Sequence, residues 1–208
     1  MSDEPKTKRQ RWLLPSVLVV WAGFVSFGLY GLLRYSFEPG SKATAPRTWP
    51  AGTRVPLSHV ATLIVAVHPR CACTRATLGE LEIILAQCAG HVAANILMYR
   101  PANSAIGWAD TDLRSRAFEI PGLKVVDDSG GVEANRFGAL TSGQVLLYSA
   151  AGSLLFEGGI TASRGHSGDN TGRDAIIVLL RHEPIGISST PVFGCSLREQ
   201  SRPAERVK

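Results

Sequence analysis

Apolar residues form short runs with two kinds of spacing in the main body of this chain. Residues 61–68 are a continuous apolar run without polar alternation, which is typical of a central strand buried on both faces. Residues 74–88 follow with apolar side chains at helical spacing, and Gly90 ends this helix. A second apolar run at 94–99 predicts a parallel neighbouring strand that is reached through the helical crossover.

Shorter elements are predicted in the second half of the chain. They are, in order, a helix at 110–118, a strand at 123–126, a helix at 132–137, a hairpin of strands at 144–149 and 153–159, and a last helix after residues 160–168, capped by Asp169, Asn170 or Thr171. The alternation of strands and helices predicts an α/β fold, a mixed sheet with flanking helices.

A much longer apolar stretch precedes these elements. Residues 12–34 carry no charge before Arg34, which is long enough to cross a membrane as one helix. The cluster of Lys6, Lys8, Arg9 and Arg11 before it predicts that the N-terminus lies inside and the rest of the chain outside. A cleaved signal peptide has a shorter apolar core, so we expect a retained transmembrane anchor. In a Gram-negative bacterium this is a single-pass inner-membrane protein with a periplasmic domain.

These patterns divide the chain into five predicted parts. They are a cytoplasmic basic tail at 1–11, a transmembrane anchor at 12–34, a Pro/Gly-rich tether at 35–56, a globular domain at 57–183, and an irregular C-terminal tail at 184–208. The net charge of +5 arises from 22 basic and 17 acidic residues, and much of the excess lies in the two terminal tails. Basic residues are not clustered with stacking aromatics, so we expect no nucleic-acid partner.

Two cysteines, Cys71 and Cys73, lie in the turn between the first strand and the first helix of the domain. Unpaired backbone N–H groups and the helix dipole stabilise a thiolate at such a position. Arg70 and Arg75 flank the pair and act in the same direction. The pair is therefore the candidate chemical site of this chain.

The order of elements resembles the thioredoxin fold, in the branch shared by membrane-anchored thiol-disulfide reductases and peroxiredoxins. The resemblance covers about residues 57–181, and residues 136–160 resemble that branch's stretch from a small helix through the hairpin. Residues 68–76, His-Pro-Arg-Cys-Ala-Cys-Thr-Arg-Ala, and residues 158–170, Gly-Gly-Ile-Thr-Ala-Ser-Arg-Gly-His-Ser-Gly-Asp-Asn, are similar to the RedB-like subgroup of periplasmic thioredoxin-like proteins. The resemblance implies a thioredoxin-like mixed sheet and thiol-disulfide exchange.

Two departures from the family pattern are visible. The family's Cys-x-x-Cys is replaced by Cys71-Ala72-Cys73, in which Cys73 matches the helix-side cysteine. Ser142 stands where the family places a cis-proline opposite the thiols. A disulfide in the small Cys71–Cys73 ring would be strained and easily reduced, which suits an oxidant or isomerase.

The resemblance also predicts which loop faces the cysteines. In a thioredoxin-like sheet the last hairpin strand runs parallel to the cysteine-bearing strand, so both end at one edge. Residues 160–168 should therefore lie near the thiols and bring Arg164, His166, Asp169 and Asn170 towards them. His166 would act as a base, or Arg164 would hold the thiolate by its charge. The alternative is that these residues only cap the last helix.

We expect a thiol-disulfide oxidoreductase without a cofactor that acts on a thiol or disulfide of a periplasmic protein. Cys71 and Cys73 are the expected redox pair, with Cys71 as the more exposed, attacking sulfur. Cys195 follows Phe193-Gly194 and is either a resolving thiol, which we favour, or a surface thiol. His68 is expected to hydrogen-bond its loop, and Cys88 to be a core residue.

Two alternatives remain open on the same fold. Cys71, Cys73 and His166 form a possible ligand set for copper, because Cu(I) prefers thiolate and imidazole ligands. The copper chaperones of cytochrome oxidase assembly are similar in using two cysteines and a distant histidine. Zinc would need a fourth ligand from Cys195 or His68. The second alternative is a redox-inactive adaptor.

Overall fold

A computed structural model describes residues 8–41, 43–183 and 186–198. The chain divides into two compact units, Met1–Glu38 and Pro39–Lys208. Several residues of the predicted basic tails, namely Lys6, Arg202, Arg206 and Lys208, lie outside the described residues.

The described residues of the first unit form one helix, α1, at Lys8–Phe37. Its segment Pro15–Phe37 has a mean hydropathy of 1.9 and none of its most apolar window is buried. Among the described residues this is the one helix long and apolar enough to cross a membrane, judged by length and composition. A membrane anchor and a signal sequence both have this character.

The second unit is built on a five-stranded sheet of order β3-β2-β1-β4-β5. Its elements are β1 at Ala61–Val67, α2 at Ala72–Gln87, β2 at Val92–Arg100, α3 at Asp112–Glu119, β3 at Leu123–Ser129, α4 at Val132–Arg136, β4 at Gln144–Tyr148, β5 at Leu154–Gly159 and α5 at Thr171–Leu180. Strands β1, β2 and β3 are parallel, whereas β4 pairs antiparallel with both β1 and β5. This mixed sheet with flanking helices confirms the predicted thioredoxin-like fold.

Both faces of the sheet are buried, which explains the continuous apolar run in β1. Leu63, Val65 and Val67 point into one core, together with the apolar sides of α2, α3 and α5. Ile64 and Ala66 point into the other core, which contains α4. The central strand therefore needs apolar side chains at every position, not at alternate ones.

The strand register places one end of each of the strands β1, β4 and β5 at the same rim of the sheet. Ala66 near the end of β1 pairs with Gln144 at the start of β4, and Gln144 pairs with Gly159 at the end of β5. The loops that follow β1 and β5 therefore leave the sheet at the same rim. This agrees with the expected direction of the last hairpin strand.

Several element boundaries differ from the sequence prediction by one to three residues. Helix α2 begins at Ala72, two residues earlier than predicted, so that Cys73 lies inside its first turn. Strand β3 continues to Ser129, beyond its apolar residues, because Ser129 still pairs with Arg100 of β2. Backbone pairing at a sheet edge does not require apolar side chains.

Residues 43–56, which the composition assigns to a tether, pack on the second face of the sheet. Ala45 and Val55 are buried in that core, and the Trp49 ring lies 5.1 Å from the Phe137 ring. The Trp49 N–H donates to the Gly152 carbonyl at 2.8 Å. In the part of the chain that the structure describes, α4 is the one helix on this face, so the apolar residues of this segment complete its core.

Candidate functional site

The reactive turn lies between the end of β1 and the start of α2. Cys71 is the N-cap residue of α2 with extended backbone angles, φ −94° and ψ 123°. Its N–H donates to the His68 carbonyl at 3.1 Å, and its own carbonyl accepts from the Thr74 N–H at 3.0 Å. The Thr74 hydroxyl also donates to the His68 carbonyl at 2.9 Å. These bonds fix the turn and hold Cys71 at the positive end of the helix dipole.

Both cysteines of this turn are buried. Cys71 is 3% exposed and Cys73 is 7% exposed. The expectation that Cys71 is the more exposed sulfur is therefore wrong. Cys71 is buried because the C-terminal segment brings Cys195 directly against it.

Three sulfur atoms meet at this point. The Cys71 and Cys195 sulfurs lie 2.8 Å apart, and the sulfurs of Cys71, Cys73 and Cys195 all lie within 4.8 Å of one another. Cys195 is exposed, unlike the other two. The sulfur pair is closer than a metal-bridged pair, because two sulfurs each 2.3 Å from one ion lie roughly 3.8 Å apart.

The three thiols differ in their acidity. The pKa of Cys71 is lowered to about 4, mainly by a hydrogen bond with the Cys73 thiol and also by a hydrogen bond with Cys195, against the effect of burial. The bond with Cys71 raises the pKa of Cys73 above its usual value. Although the residue is exposed, partial burial of its thiol raises the pKa of Cys195 to about 11, helped by its hydrogen bond with Cys71. Of the three thiols, Cys71 is the one whose pKa is lowered, so it is the thiol that ionises most easily.

Arg164 is the cationic side chain of the site. Its guanidinium donates to the Gly194 carbonyl, the residue before Cys195. Its charge lowers the pKa of both Cys73 and Cys195, against the stronger causes that raise them. Arg164 therefore fastens the C-terminal segment and places positive charge beside the sulfurs.

Ser142 connects the hairpin to the cysteines. Its hydroxyl accepts from the His68 N–H at 2.9 Å and lies 3.1 Å from the Thr74 hydroxyl. Its N–H donates to the Cys195 carbonyl at 2.8 Å. Ser142 thus lies opposite the thiols, as the resemblance implied, and its backbone binds the chain's own C-terminal segment.

The other residues of the 160–170 loop have separate contacts. His166 is exposed, and its N–H donates to the Ser163 carbonyl at 3.3 Å. Asp169 is exposed and pairs with Arg173 at 3.4 Å. Asn170 caps α5 by accepting from the Arg173 N–H at 2.7 Å. His166 is not part of the sulfur cluster, in which the third donor among the described residues is Cys195.

His68 takes part in an aromatic group beside the turn. Its Nδ1 accepts from the Arg70 N–H at 3.1 Å, and its ring stacks on Tyr99 with 5.5 Å between centroids. The Trp108 ring meets the His68 ring edge-on, with 5.6 Å between the ring centroids. The Arg70 guanidinium carbon lies over the Trp108 ring, 4.3 Å from the centroid of that ring. This arrangement agrees with the expected loop hydrogen bond of His68.

The sequence analysis missed the residue that holds residues 160–170, the rim loop after β5, to helix α2. The Glu80 carboxylate is 1% exposed and accepts from the Gly168 N–H at 2.7 Å, from Asn170 at 3.2 Å and from Arg173 at 2.8 Å. Its position one turn before Ile84, on the buried stripe of α2, was an available signal for a buried and paired charge.

No protein-family model and no curated protein matches this sequence. Solved structures are similar in fold. A hypothetical protein from Sinorhizobium meliloti has a TM-score of 0.56 and 20% identity, covering 80% of this chain and 97% of its own. An uncharacterized conserved protein from Geobacillus kaustophilus has a TM-score of 0.57 and 17% identity, covering 80% and 94%.

A third structure is a secreted disulfide oxidoreductase from Mycobacterium tuberculosis. It has a TM-score of 0.42 and 15% identity, and the match covers 61% of this chain and 84% of that one. The similarity to the first two structures shows that the chain shares their fold.

Proposed function

We propose that this chain is a membrane-anchored thiol-disulfide oxidoreductase whose attacking group is the Cys71 thiolate. The observation that carries the proposal is the meeting of three sulfurs within 4.8 Å at the start of α2. Structural cysteines in a core are dispersed and protonated, whereas a thiolate beside a second thiol is the arrangement that exchange chemistry needs.

The reaction begins on the Cys71 sulfur. Its thiolate attacks one sulfur of a client disulfide, a Cys71–client bond forms, and the other client sulfur leaves as a thiolate. A second cysteine of this chain then attacks Cys71 and releases the first client sulfur. The client gains two electrons, and two cysteines of this chain become a disulfide. The reverse sequence oxidises a client dithiol.

The apolar helix α1 supports the location that we propose for the domain. Its apolar segment, Pro15–Phe37, would anchor the chain in the inner membrane, with the basic residues before it on the cytoplasmic side. The oxidoreductase domain then faces the periplasm, where disulfides form and persist. The client is accordingly a thiol or disulfide of another periplasmic protein.

The copper alternative, with Cys71, Cys73 and His166 as ligands, stays a prediction. The 2.8 Å between the sulfurs of Cys71 and Cys195 favours direct sulfur-to-sulfur chemistry over a shared ion. Metal analysis of the purified chain after anaerobic loading with Cu(I) tests this alternative. Stoichiometric copper that is weakened by His166→Ala would support it. The adaptor alternative predicts neither copper nor exchange.

The test of the proposed function uses the reduced full chain in detergent micelles with oxidised glutathione as the disulfide. We expect glutathione to be released as a thiol and Cys71→Ser to abolish this release. Cys88→Ser is the matched control, since Cys88 lies at the other end of α2, and it should retain exchange. Exchange that persists in Cys71→Ser would remove Cys71 from its role.

A further inference from the structure

The C-terminal segment at residues 192–197 is built into the rim of the sheet. Val192 and Leu197 are each 1% exposed, and Phe193 is buried as well. The Gly40 N–H donates to the Val192 carbonyl at 2.8 Å. Apolar burial on both sides of Cys195 therefore fixes the position of that residue in the chain.

The backbone of this segment pairs with the loop before β4. The Leu197 N–H donates to the Leu140 carbonyl at 2.9 Å, which complements the bond from Ser142 to the Cys195 carbonyl. Thr141 and Ser196 form an antiparallel bridge between these two bonds. Three successive residues thus hold the Cys195 backbone opposite the reactive turn.

The residue before Cys195 has to be a glycine. A side-chain carbon at Gly194 would fall 1.8 Å from the Ser142 carbonyl oxygen, which is part of the backbone. The Gly194 carbonyl also accepts from the Arg164 guanidinium. Close approach and a charged hydrogen bond together place Cys195 on Cys71.

We infer that Cys195 is the second redox cysteine of the site and that it forms the internal disulfide with Cys71. This inference rests on the proposed function. After the Cys71 thiolate has formed a mixed disulfide with a client, the Cys195 thiol gives up its proton to the departing client sulfur. The Cys195 sulfur bonds to Cys71, and the Cys71–client bond breaks. The client disulfide is thereby reduced by two electrons, and Cys71 and Cys195 are oxidised to a disulfide by the loss of the same two electrons.

Geometry favours Cys195 over Cys73 for this step. Cys195 approaches Cys71 from a separate segment and already lies 2.8 Å from it. Cys73 is two residues from Cys71 within the first turn of α2, so a bond between them would close a small, strained ring. Cys73 instead serves as the hydrogen-bond partner that keeps Cys71 ionised.

The charges at the site favour a fixed order of steps, in which Cys71 attacks the client first and Cys195 attacks Cys71 afterwards. The Cys71 thiolate is one of the causes that raise the pKa of Cys195. When Cys71 is bonded to a client sulfur, that negative charge is gone, while the charge of Arg164 remains. Cys195 is therefore easiest to deprotonate at the stage when it is needed as the nucleophile.

A single-turnover experiment separates the two candidate partners. The reduced full chain is mixed with oxidised glutathione and its cysteines are mapped by mass spectrometry. We expect Cys195→Ser to stop at a glutathione adduct on Cys71, and Cys73→Ser to proceed to a Cys71–Cys195 bridge. Ser196→Ala, a neighbouring change in the same segment, is the control and should behave like the unaltered chain.

The opposite pattern overturns the inference. If Cys195→Ser closes a Cys71–Cys73 bridge and Cys73→Ser retains the adduct, Cys73 is the resolving cysteine and the proposed function still stands. If no variant forms any adduct on Cys71, the proposed function itself fails. The two failures are therefore distinguishable in the same spectra.

A second variant tests the position of the segment without changing any cysteine. Gly194→Ala would push the segment away from Ser142, so we expect the glutathione adduct on Cys71 to accumulate as it does in Cys195→Ser. The initial attack by Cys71 should continue. Bridge formation at an unchanged rate in Gly194→Ala would contradict the inferred role of the segment.

Discussion

The two ends of helix α2 carry cysteines with opposite properties. Cys71 precedes the first turn, where hydrogen bonds with Cys73 and Cys195 lower its pKa to about 4. Cys88 follows the last turn, where burial raises its pKa despite the nearby charge of Arg181. Both residues are almost fully buried, at 3% and 2% exposure. Burial alone therefore does not decide whether a cysteine in this protein is reactive.

What differs is the set of groups that meet each sulfur. At Cys71 the helix dipole and two further thiols favour a negative charge. At Cys88 the sulfur lies among the apolar residues of the first core, such as Leu85 and Ile120, at the helix end that disfavours an anion. The contrast shows that neighbours and helix polarity make the chemical site.

The largest expected effect is on the free energy of unfolding and concerns Glu80. This residue holds the rim loop at the Cys71 end of α2. Glu80→Ala leaves Arg173 and the Gly168 N–H without their buried partner, so we expect a loss of about 3–5 kcal/mol in the free energy of unfolding. Urea denaturation measures it. Glu82→Ala is the control, because its pair with Arg116 at 3.8 Å is exposed and should contribute less than about 1 kcal/mol. Equal losses would contradict the anchoring role.

The next effect is the pH dependence of alkylation at Cys71. Because its pKa in the folded chain is about 4, Cys71 is already a thiolate at higher pH, and its reactivity declines only as the pH falls through that value. We expect its iodoacetamide rate to change less than about twofold between about pH 5.5 and pH 7.5. The same cysteine in the urea-unfolded chain should accelerate about a hundredfold over that range. Parallel profiles would contradict the account.

A smaller change is expected when the partner thiol is removed. Cys73→Ala deletes the largest contribution to the acidity of Cys71. A hydrogen bond to a charged group contributes about 1.5–3 kcal/mol, so the pKa of Cys71 should rise by about 1–2 units. Cys73→Ser keeps a donor and should raise it less. The pH profile of alkylation measures both variants, and an unchanged profile in Cys73→Ala would assign the acidity to other groups.

The smallest effect is expected at Cys88, at the C-terminal end of helix α2. Cys88→Ala removes one buried sulfur from the first core, so we expect a loss of about 1–2 kcal/mol in the free energy of unfolding. The rate of exchange with oxidised glutathione should not change, because Cys88 has no contact with the sulfur cluster. Thermal denaturation and the glutathione assay test the two parts of this prediction separately.

The framework of the domain was predictable because it follows from periodic patterns. The apolar run of β1 identifies a strand buried on both faces, and the turn after it identifies Cys71 as a helix-terminal thiol. The parallel direction of β1 and β5 then brings the loop with Arg164 to the same rim. The first two inferences depend on spacing, which a sequence displays directly, whereas the position of the Arg164 loop was implied by the resemblance to the thioredoxin fold.

The details of the site depend on contacts that have no period. The docking of Cys195 relies on single hydrogen bonds at Leu140 and Ser142 and on the close fit of Gly194. The outward position of His166 depends on the local bridge with Ser163. The sequence suggested Cys195 as a resolving thiol, but it did not show which residues its segment contacts, since irregular segments carry no register.

The ionisation of Cys71 is the most direct test of the central claim, that this sulfur is a thiolate held by two neighbouring thiols. The measurement is a pH titration of the reduced full chain with isotope-labelled cysteines, in which NMR follows each cysteine separately. The account predicts a midpoint of about 4 for Cys71 and about 11 for Cys195. A midpoint for Cys71 near the ordinary cysteine value of about 8.5 would contradict it.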